Sequence, residues 1–237
     1  MTSASNRLFP VTYGARTDGR NLTLPWPALA AVALCLGLAA PAAAEPVTIV
    51  ALGDSLTAGY GLPEGDGLVP QLQAWLDSQG AEVTLINAGV SGDTTAGGLS
   101  RLDWSITPDT DAMIVTLGGN DLLRGLPPAE SRSNLDAIVK SATDRGLAVL
   151  LVPIQAPGNF GPDFKADFDA IYPALSAQYG TLITDSFFAP LTGGSTDPAA
   201  LTPWMQADGI HPNKDGVAKI VAALGPHVMD LAAATRD

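Results

Sequence analysis

The apolar stretch at residues 47–53 constrains the fold more than any other part of the chain, because it ends abruptly in Gly53-Asp54-Ser55. It is too short for a helix and rich in β-branched residues, which is typical of a parallel strand buried on both faces. Gly53 permits a sharp bend, so the Ser55 hydroxyl and backbone N–H can both lie at the mouth of the sheet. A serine held there is a candidate nucleophile; alternatively, Asp54 or Ser55 simply caps the following segment.

Short apolar segments alternate with helical patterns along the rest of the chain. Further strands are predicted at residues 83–87, 112–117, 147–152 and 181–184, whereas residues 187–207 are irregular. This alternation predicts an α/β fold, a three-layer α/β/α sandwich around a five-stranded, mostly parallel sheet, in one domain over residues 45–237. The clearest helical faces are Leu68, Val69, Leu72, Trp75 and Leu76; Leu135, Ile138, Val139 and Ala142; Phe164, Phe168, Ile171, Tyr172 and Leu175; and Val217, Ile220, Val221, Leu224, Val228 and Leu231.

The order of the strands decides where a ligand binds. In open α/β sheets the crevice lies outside the carboxyl ends of the strands, where the strand order reverses. With the order 2-1-3-4-5, the turns after the first three strands line that crevice. Those turns contain Ser55, Gly92 in a Ser-Gly-Asp-Thr loop, and Asn120 in Gly-Gly-Asn-Asp. Each is an ordinary turn on its own, and only their convergence indicates a site.

Residues 1–44 have the pattern of a secretory signal peptide. Three arginines precede an apolar run at residues 28–40, and the small residues Ala42-Ala43-Ala44 follow it. A membrane span is the competing interpretation, but the run is shorter than the roughly 20 residues that a span needs. We therefore expect cleavage and export to the periplasm or the medium, with no stable membrane insertion of the mature chain.

The composition of the chain after residue 44 excludes several kinds of site. The single cysteine, Cys35, lies in the apolar run, so the mature chain can form no disulfide and no thiolate metal site. That part of the chain has 9 basic and 23 acidic residues, a formal net charge of −14. Such an acidic surface disfavours nucleic acid and anionic membranes as partners, although solubility alone also explains it.

A serine nucleophile needs a neighbouring base, and the chain has only two histidines. His227 falls among the apolar positions of the last helix and is interpreted as a surface or half-buried helix residue. His211 follows Asp208 by three residues, so the carboxylate can reach Nδ1 while Nε2 stays free to accept from Ser55. Alternatively, Asp208 caps a turn and His211 is solvated. Donors for a developing oxyanion are the N–H groups of Ser55 and Gly92 and the side-chain amide of Asn120.

Four blocks of the sequence resemble, in order, those of the GDSL or SGNH hydrolases. They are Gly53-Asp54-Ser55-Leu56, the Ser-Gly-Asp-Thr loop with Gly92, Gly118-x-Asn120-Asp121, and Asp208-x-x-His211. The match spans residues 47–231, and the chain looks most like small secreted bacterial arylesterases, acyl-CoA thioesterases and lysophospholipases. It is less similar to the classical α/β-hydrolases, which place the serine in a G-x-S-x-G elbow and separate the aspartate from the histidine.

The resemblance implies a flavodoxin-like SGNH fold and a role for each matching residue. Ser55 is then the nucleophile, His211 the base and Asp208 the residue that orients it, while Ser55, Gly92 and Asn120 form the oxyanion hole. Gly89 lies close to Gly92, which leaves open which of these two amides points inward.

The implied reaction is hydrolysis of carboxylic esters, and of thioesters as a second class, through an acyl-enzyme without metal or organic cofactor. Leu62, Gln155, Asn159 and Phe160 are expected to line the site and contact a small ester or lipid-like acyl substrate. A carbohydrate esterase of the same family is the alternative enzyme, although the apolar rim residues favour an acyl chain. A secreted binding module with an inactive site is the alternative from another class.

Overall fold

The computed structural model describes residues 45–195 and 197–236, together with Gly14. The predicted signal peptide, residues 1–44, thus lies outside the described residues except for Gly14. From residue 45 onward the described chain forms one compact unit.

A parallel sheet of five strands, in the order β2-β1-β3-β4-β5, forms the centre of this unit. The predicted fold class and strand order are confirmed, and each neighbouring pair of these strands is parallel. The inner strand β1 is buried on both faces except at Thr48, which explains its nearly unbroken apolar sequence. The strands are β1 Val47–Gly53, β2 Val83–Gly89, β3 Ala112–Thr116, β4 Ala148–Leu151 and β5 Leu182–Ile183.

Helices form the two outer layers of the sandwich. The helix Leu68–Ser78 packs against the C-terminal helix Lys214–Ala234, and the helix Pro128–Asp144 packs against several shorter helices. The α-helices are Ser55–Ala58, Leu68–Ser78, Thr95–Ser100, Leu102–Ser105, Gly119–Leu123, Pro128–Asp144, Pro162–Asp169, Ile171–Tyr179, Ala189–Thr192 and Lys214–Ala234; 3-10 turns are Glu64–Asp66, Gly158–Phe160 and Pro198–Trp204.

The C-terminal helix is long and apolar enough to cross a membrane by length and composition alone. Its apolar side is instead taken up by the core, since Val217, Leu224 and Leu231 are all buried. Gly225 brings this helix against Trp75, because a Cβ at that position would lie 2.4 Å from the indole ring. The apolar stripe of this helix is therefore a packing surface of the domain.

Two predictions about helices need correction. The single apolar face at residues 164–175 belongs to two helices, which meet at Ala170. The apolar periodicity continues across this junction, so the sequence pattern hides it. The segment 187–207, predicted as irregular, contains the helix Ala189–Thr192 and the 3-10 turn Pro198–Trp204. Each of these short elements has a proline within its first two positions, where the missing N–H costs nothing.

Candidate active site

The carboxyl ends of β2, β1 and β3 lie side by side in the sheet, which brings the predicted turns together. In the register of the sheet, Gly53 of β1 is the partner of both Gly89 of β2 and Thr116 of β3. Both glycines are needed for close packing, since a Cβ at Gly53 would lie 2.0 Å from the Thr57 hydroxyl. A Cβ at Gly89 would lie 2.3 Å from the Ala58 backbone nitrogen. The turn after β1 is therefore held tightly over its neighbours.

Ser55 is the first residue of the one-turn helix Ser55–Ala58. The preceding Asp54 caps this helix, because its Oδ1 accepts a hydrogen bond from the Leu56 N–H at 3.0 Å. Asp54 is thus a helix cap, as the alternative interpretation held, and the Ser55 side chain takes no part in the capping. Ser55 is half-buried and points its hydroxyl into the crevice above the sheet, where it meets His211.

His211 lies beside Ser55 although 156 residues separate them in the chain. The distance between Ser55 Oγ and His211 Nε2 is 2.9 Å, and that between His211 Nδ1 and Asp208 Oδ2 is 2.7 Å. The loop that carries His211 is held by a bridge between Met205 and Pro212. The structure therefore brings Ser55, His211 and Asp208 into one continuous chain of hydrogen bonds.

The Asp208 carboxylate is fixed by more than the imidazole. Its second oxygen, Oδ1, accepts hydrogen bonds from the backbone N–H groups of Ile210 and His211 at 2.9 and 3.0 Å. The hydrogen bond from the His211 ring, supported by these two backbone donors, lowers the pKa of Asp208 to about 2. Asp208 is therefore ionised throughout the neutral range and can hold a proton on His211 Nδ1.

Two of the three predicted oxyanion donors are backbone N–H groups, in the turns that follow β1 and β2. The N–H groups of Ser55 and Gly92 donate to no acceptor among the residues that the structure describes. The Gly89 N–H, by contrast, is engaged with the Asn87 side chain at 2.9 Å. Of the two glycines near this loop, Gly92 is thus the one whose amide is free to bind a ligand.

The side-chain amide of Asn120 lies next to these backbone donors. Its Nδ2 donates to the Asp93 carbonyl at 2.9 Å and, through a longer contact of 3.3 Å, to Asp54 Oδ2. Both hydrogens of the amide are therefore engaged. A bound oxyanion can take over the longer and weaker of these two contacts.

Asp54 is a buried carboxylate immediately beside the candidate nucleophile. Only 2% of its surface is exposed, and this burial raises its pKa to about 6, against the opposing effect of hydrogen bonds from Leu56 and Asn120. Asp54 thus differs from Asp208, because its burial disfavours the charged carboxylate. It contacts Asn120 rather than His211.

Gly118 lets the third turn come close to the core. Its φ of 118° is a conformation that side chains other than glycine rarely adopt, and a Cβ there would lie 2.4 Å from the Tyr172 hydroxyl. Tyr172 is fully buried and donates to the Leu117 carbonyl at 2.7 Å. Removal of this hydroxyl from water raises the pKa of Tyr172. The position of Asn120 therefore depends on a turn that only glycine fits.

A largely apolar groove of about 400 Å³ opens beside Ser55 and His211. Three of the four residues predicted to contact substrate, Gln155, Asn159 and Phe160, line it. The apolar part of its wall is formed by Leu122, Leu123, Ile154, Phe188, Met205 and Ile210.

Leu62 does not line this groove. It packs against the core and borders a separate depression with Pro63. The glycine-rich loop folds back on itself, with the Leu62 N–H bonded to the Gly59 carbonyl, and this turns Leu62 away. Tyr60 of the same loop lies at the site instead, with its ring centroid 4.7 Å from that of His211.

No sequence pattern indicates the Tyr60 contact, because it depends on how two distant loops meet. The Gln206 side chain joins them by donating to the carbonyls of Tyr60 and Pro212, at 2.8 and 3.0 Å. Among the residues that the structure describes, no group of three or more His, Cys, Asp or Glu side chains is arranged to hold a metal ion.

The comparison with known families shows the family to which this chain belongs. The sequence model of the GDSL-like lipase/acylhydrolase family matches residues 51–219, which include the segments that carry Ser55, Gly92, Asn120, Asp208 and His211. The chain belongs to this family. The resemblance expected from the four sequence blocks is thereby confirmed.

Named relatives and solved structures of this family are similar over most of the chain. Esterase TesA of Pseudomonas aeruginosa is 41% identical over 166 residues, which cover 70% of this chain and 79% of that protein. An arylesterase of Vibrio mimicus is 35% identical over 192 residues, 79% of this chain and 91% of that one. The crystal structure of the psychrotrophic esterase EstA from Pseudoalteromonas sp., inhibited by monoethylphosphonate, has a TM-score of 0.70 at 32% identity and covers 77% of this chain and 97% of that one.

Proposed function

We propose that this protein is a serine esterase that hydrolyses carboxylic esters through an acyl-enzyme on Ser55. The observation that carries the proposal is the pair of short contacts from Ser55 Oγ to His211 Nε2 and from His211 Nδ1 to Asp208. This arrangement is the one that activates a serine hydroxyl at neutral pH. The names of the relatives, esterase and arylesterase, support the same reaction.

The reaction proceeds in two steps that use the same groups. Neutral His211 accepts the Ser55 proton on Nε2 as Oγ attacks the ester carbonyl carbon, while Asp208 holds the proton on Nδ1. The bond between the carbonyl carbon and the leaving oxygen then breaks, and Nε2–H protonates the departing alcohol. In the second step water attacks the acyl-enzyme and gives its proton to Nε2. Ser55 Oγ takes that proton back as the carboxylic acid leaves.

The oxyanion that forms in both steps is stabilised by the N–H groups of Ser55 and Gly92 and by the Asn120 amide. The amide hydrogen that contacts Asp54 at 3.3 Å turns to the oxyanion, while the other hydrogen stays on the Asp93 carbonyl. One donor of this kind typically lowers the barrier by about 2.7–4 kcal/mol. This stabilisation is largest in the transition state, so it acts on kcat.

The groove favours an acyl chain as the part of the substrate that it binds. Leu123, Ile154 and Phe160 offer apolar surface next to Ser55, whereas a glycan needs more aromatic platforms and hydrogen-bonding groups. Carboxylic esters of apolar acyl chains are therefore the proposed substrates, and thioesters of the same chains are a second class. A carbohydrate esterase is the less well supported alternative.

We also propose that residues 1–44 act as a cleaved signal peptide and that the mature enzyme is exported. The basic region, apolar run and alanine-rich end of this segment support the proposal. Expression of the full chain in a bacterial host, followed by cell fractionation and N-terminal sequencing, tests it. A mature enzyme that keeps its apolar run, or that stays in the cytoplasm, contradicts it.

The catalytic proposal is tested by three variants, Ser55→Ala, His211→Ala and His227→Ala, with p-nitrophenyl acetate and longer esters and thioesters as substrates. Loss of the nucleophile or the base should lower kcat by roughly 10⁴–10⁶. His227 is exposed and lies away from Ser55, on a separate cavity, so its variant is the matched control and should keep full activity.

A fluorophosphonate probe gives an independent readout, because it labels only an activated serine. Wild type and His227→Ala should be labelled, and Ser55→Ala should not. Wild-type turnover by a Ser55→Ala preparation, or labelling of that preparation, contradicts the proposal.

A further inference from the structure

Arg101 is a mostly buried cation that the proposed reaction does not use. About a fifth of its side chain is exposed. Its Nε donates to Asp93 Oδ2 at 2.6 Å, its Nη1 to the Ala88 carbonyl at 2.8 Å, and its Nη2 to the Gly53 carbonyl at 2.8 Å. One planar group thus ties the ends of β1 and β2 to the loop that follows β2.

Two of these contacts, those to Gly53 and Asp93, are made next to the oxyanion donors. Gly53 precedes Ser55 by two residues, so its carbonyl fixes the start of the turn that aims the Ser55 N–H. Asp93 directly follows Gly92, and its own backbone carbonyl accepts a hydrogen bond from the Asn120 amide at 2.9 Å. The guanidinium therefore touches a neighbour of every one of the three donors, while it contacts none of the reacting atoms.

Two local features show that Asp93 is held firmly in this arrangement. Its side chain is about four-fifths buried, and Gly97 approaches so closely that a Cβ there would lie 2.7 Å from Asp93 Oδ1. The Gly53 carbonyl also accepts from the Val90 N–H at 3.0 Å, which ties the same loop to β1 a second time. A displacement of the guanidinium would therefore move the loop, because the side chains between them are tightly packed.

Arg124 provides a useful contrast. It donates to the Gly92 carbonyl at 2.8 Å, but it is exposed, and within the described part of the chain its side chain forms a hydrogen bond to this turn alone. A fixed fork of five donors, as in Arg101, can bind three acceptors at once, whereas the single ammonium of a lysine cannot match that geometry.

We propose that Arg101, acting through Asp93, is a positioning residue that sets the geometry of the oxyanion hole. The inference rests on the proposed esterase function and extends it to a residue outside the four sequence blocks. Because a displacement of about 1 Å at a catalytic group can cost roughly 10²-fold, Arg101→Gln should lower kcat by about that factor. KM should change little, since oxyanion donors act mainly on the transition state.

The experiment is a double-mutant cycle of Arg101→Gln with Asn120→Ala, read as kcat and KM on p-nitrophenyl esters. The endpoint of fluorophosphonate labelling counts the folded, competent sites in each preparation. If Arg101 acts through the Asn120 amide, its loss costs much less in the Asn120→Ala background than in wild type. Arg145→Gln is the matched control, because Arg145 pairs with the exposed Asp103 on the surface, and it should keep full activity.

A purely structural role predicts a different result. In that case Arg101→Gln lowers the melting temperature and the number of labelled sites, kcat per labelled site stays at the wild-type value, and the two substitutions are additive. That outcome overturns the inference. If Arg101→Gln does not fold, Asp93→Ala replaces it in the same cycle, because this variant leaves the bonds of Arg101 to the two carbonyls in place.

The failure of this inference is distinguishable from failure of the proposed function. An active wild type that loses labelling in Ser55→Ala, together with an additive cycle, removes only the role of Arg101. A wild type that is neither active nor labelled removes the esterase proposal itself.

Discussion

The two backbone hydrogen bonds to Asp208 make the outcome of one substitution unusually specific. In Asp208→Asn, the amide oxygen should replace Oδ1, because the N–H groups of Ile210 and His211 point at that position from 2.9 and 3.0 Å. The amide NH₂ must then face His211 Nδ1, where the carboxylate accepted a hydrogen bond at 2.7 Å. Nδ1 becomes the acceptor, so the ring proton moves to Nε2 and faces Ser55 Oγ.

An imidazole in that tautomer cannot accept the Ser55 proton. An aspartate to asparagine change of this type in a Ser-His-Asp triad lowers kcat by roughly 10⁴, which corresponds to about 5.5 kcal/mol of barrier. We expect the same order here. The folded structure should survive, since the two backbone hydrogen bonds that hold the turn are kept.

The assay combines kinetics with ¹⁵N NMR of the histidine ring. The chain has only two histidines, so an untagged His227→Gln background leaves a single imidazole to observe. The wild-type ring should carry its proton on Nδ1 and the Asp208→Asn ring on Nε2. An Asp208→Asn variant that keeps the Nδ1 proton, or that stays within tenfold of wild-type kcat, refutes the reasoning.

Two further predictions concern stability. Burial raises the pKa of Asp54 from 3.8 to about 6, so the folded protein binds a proton on this carboxyl group more tightly than the unfolded chain does. The contribution of Asp54 to stability therefore falls as the pH rises from about 4 to 6. The free energy of unfolding of Asp54→Asn relative to wild type should therefore increase by about 2 kcal/mol between pH 4 and pH 7 in urea titrations, and a difference that does not change with pH contradicts the effect of burial. Gly118→Ala should lower the free energy of unfolding by about 2–4 kcal/mol, because the added methyl group would meet Tyr172 and the backbone would be strained. Gly180 has a φ of 67° with open space around its Cβ position, so the control Gly180→Ala should cost only about 1–2 kcal/mol. Equal losses in the two variants would show that the contact with Tyr172 is unimportant.

The sequence allowed the sheet to be predicted because β1, β3 and β4 are buried and are therefore nearly continuous apolar runs. The run that ends at Gly53, and the similar run that ends at Leu117, fix two of the strands whose carboxyl ends meet at the crevice. Once the strand order is known, the convergence of Ser55, Gly92 and Asn120 follows from topology alone.

Contacts between loops were not predictable in the same way. Leu62 and Tyr60 belong to one glycine-rich loop, and nothing in their spacing tells which of them faces His211. The answer depends on the Gln206 side chain, which holds the Tyr60 carbonyl across 146 residues of sequence. Arg101 carries no sequence signal for a similar reason, because its four acceptors include two backbone carbonyls, and backbone carbonyls leave no mark in a sequence.

The two carboxylates near Ser55 show why adjacency in sequence is a poor guide to chemical role. Asp54 is the direct neighbour of Ser55 in the chain, yet it contacts Asn120, and burial raises its pKa. Asp208 is 153 positions away, yet hydrogen bonds from the His211 ring and from two backbone N–H groups lower its pKa. A base needs a permanently charged partner, and only Asp208 has an environment that favours the charge. Burial makes Asp54 unsuitable as the charged partner of a base. Asp54 is instead a weak hydrogen-bond acceptor for the Asn120 amide, which can turn from it to a developing oxyanion.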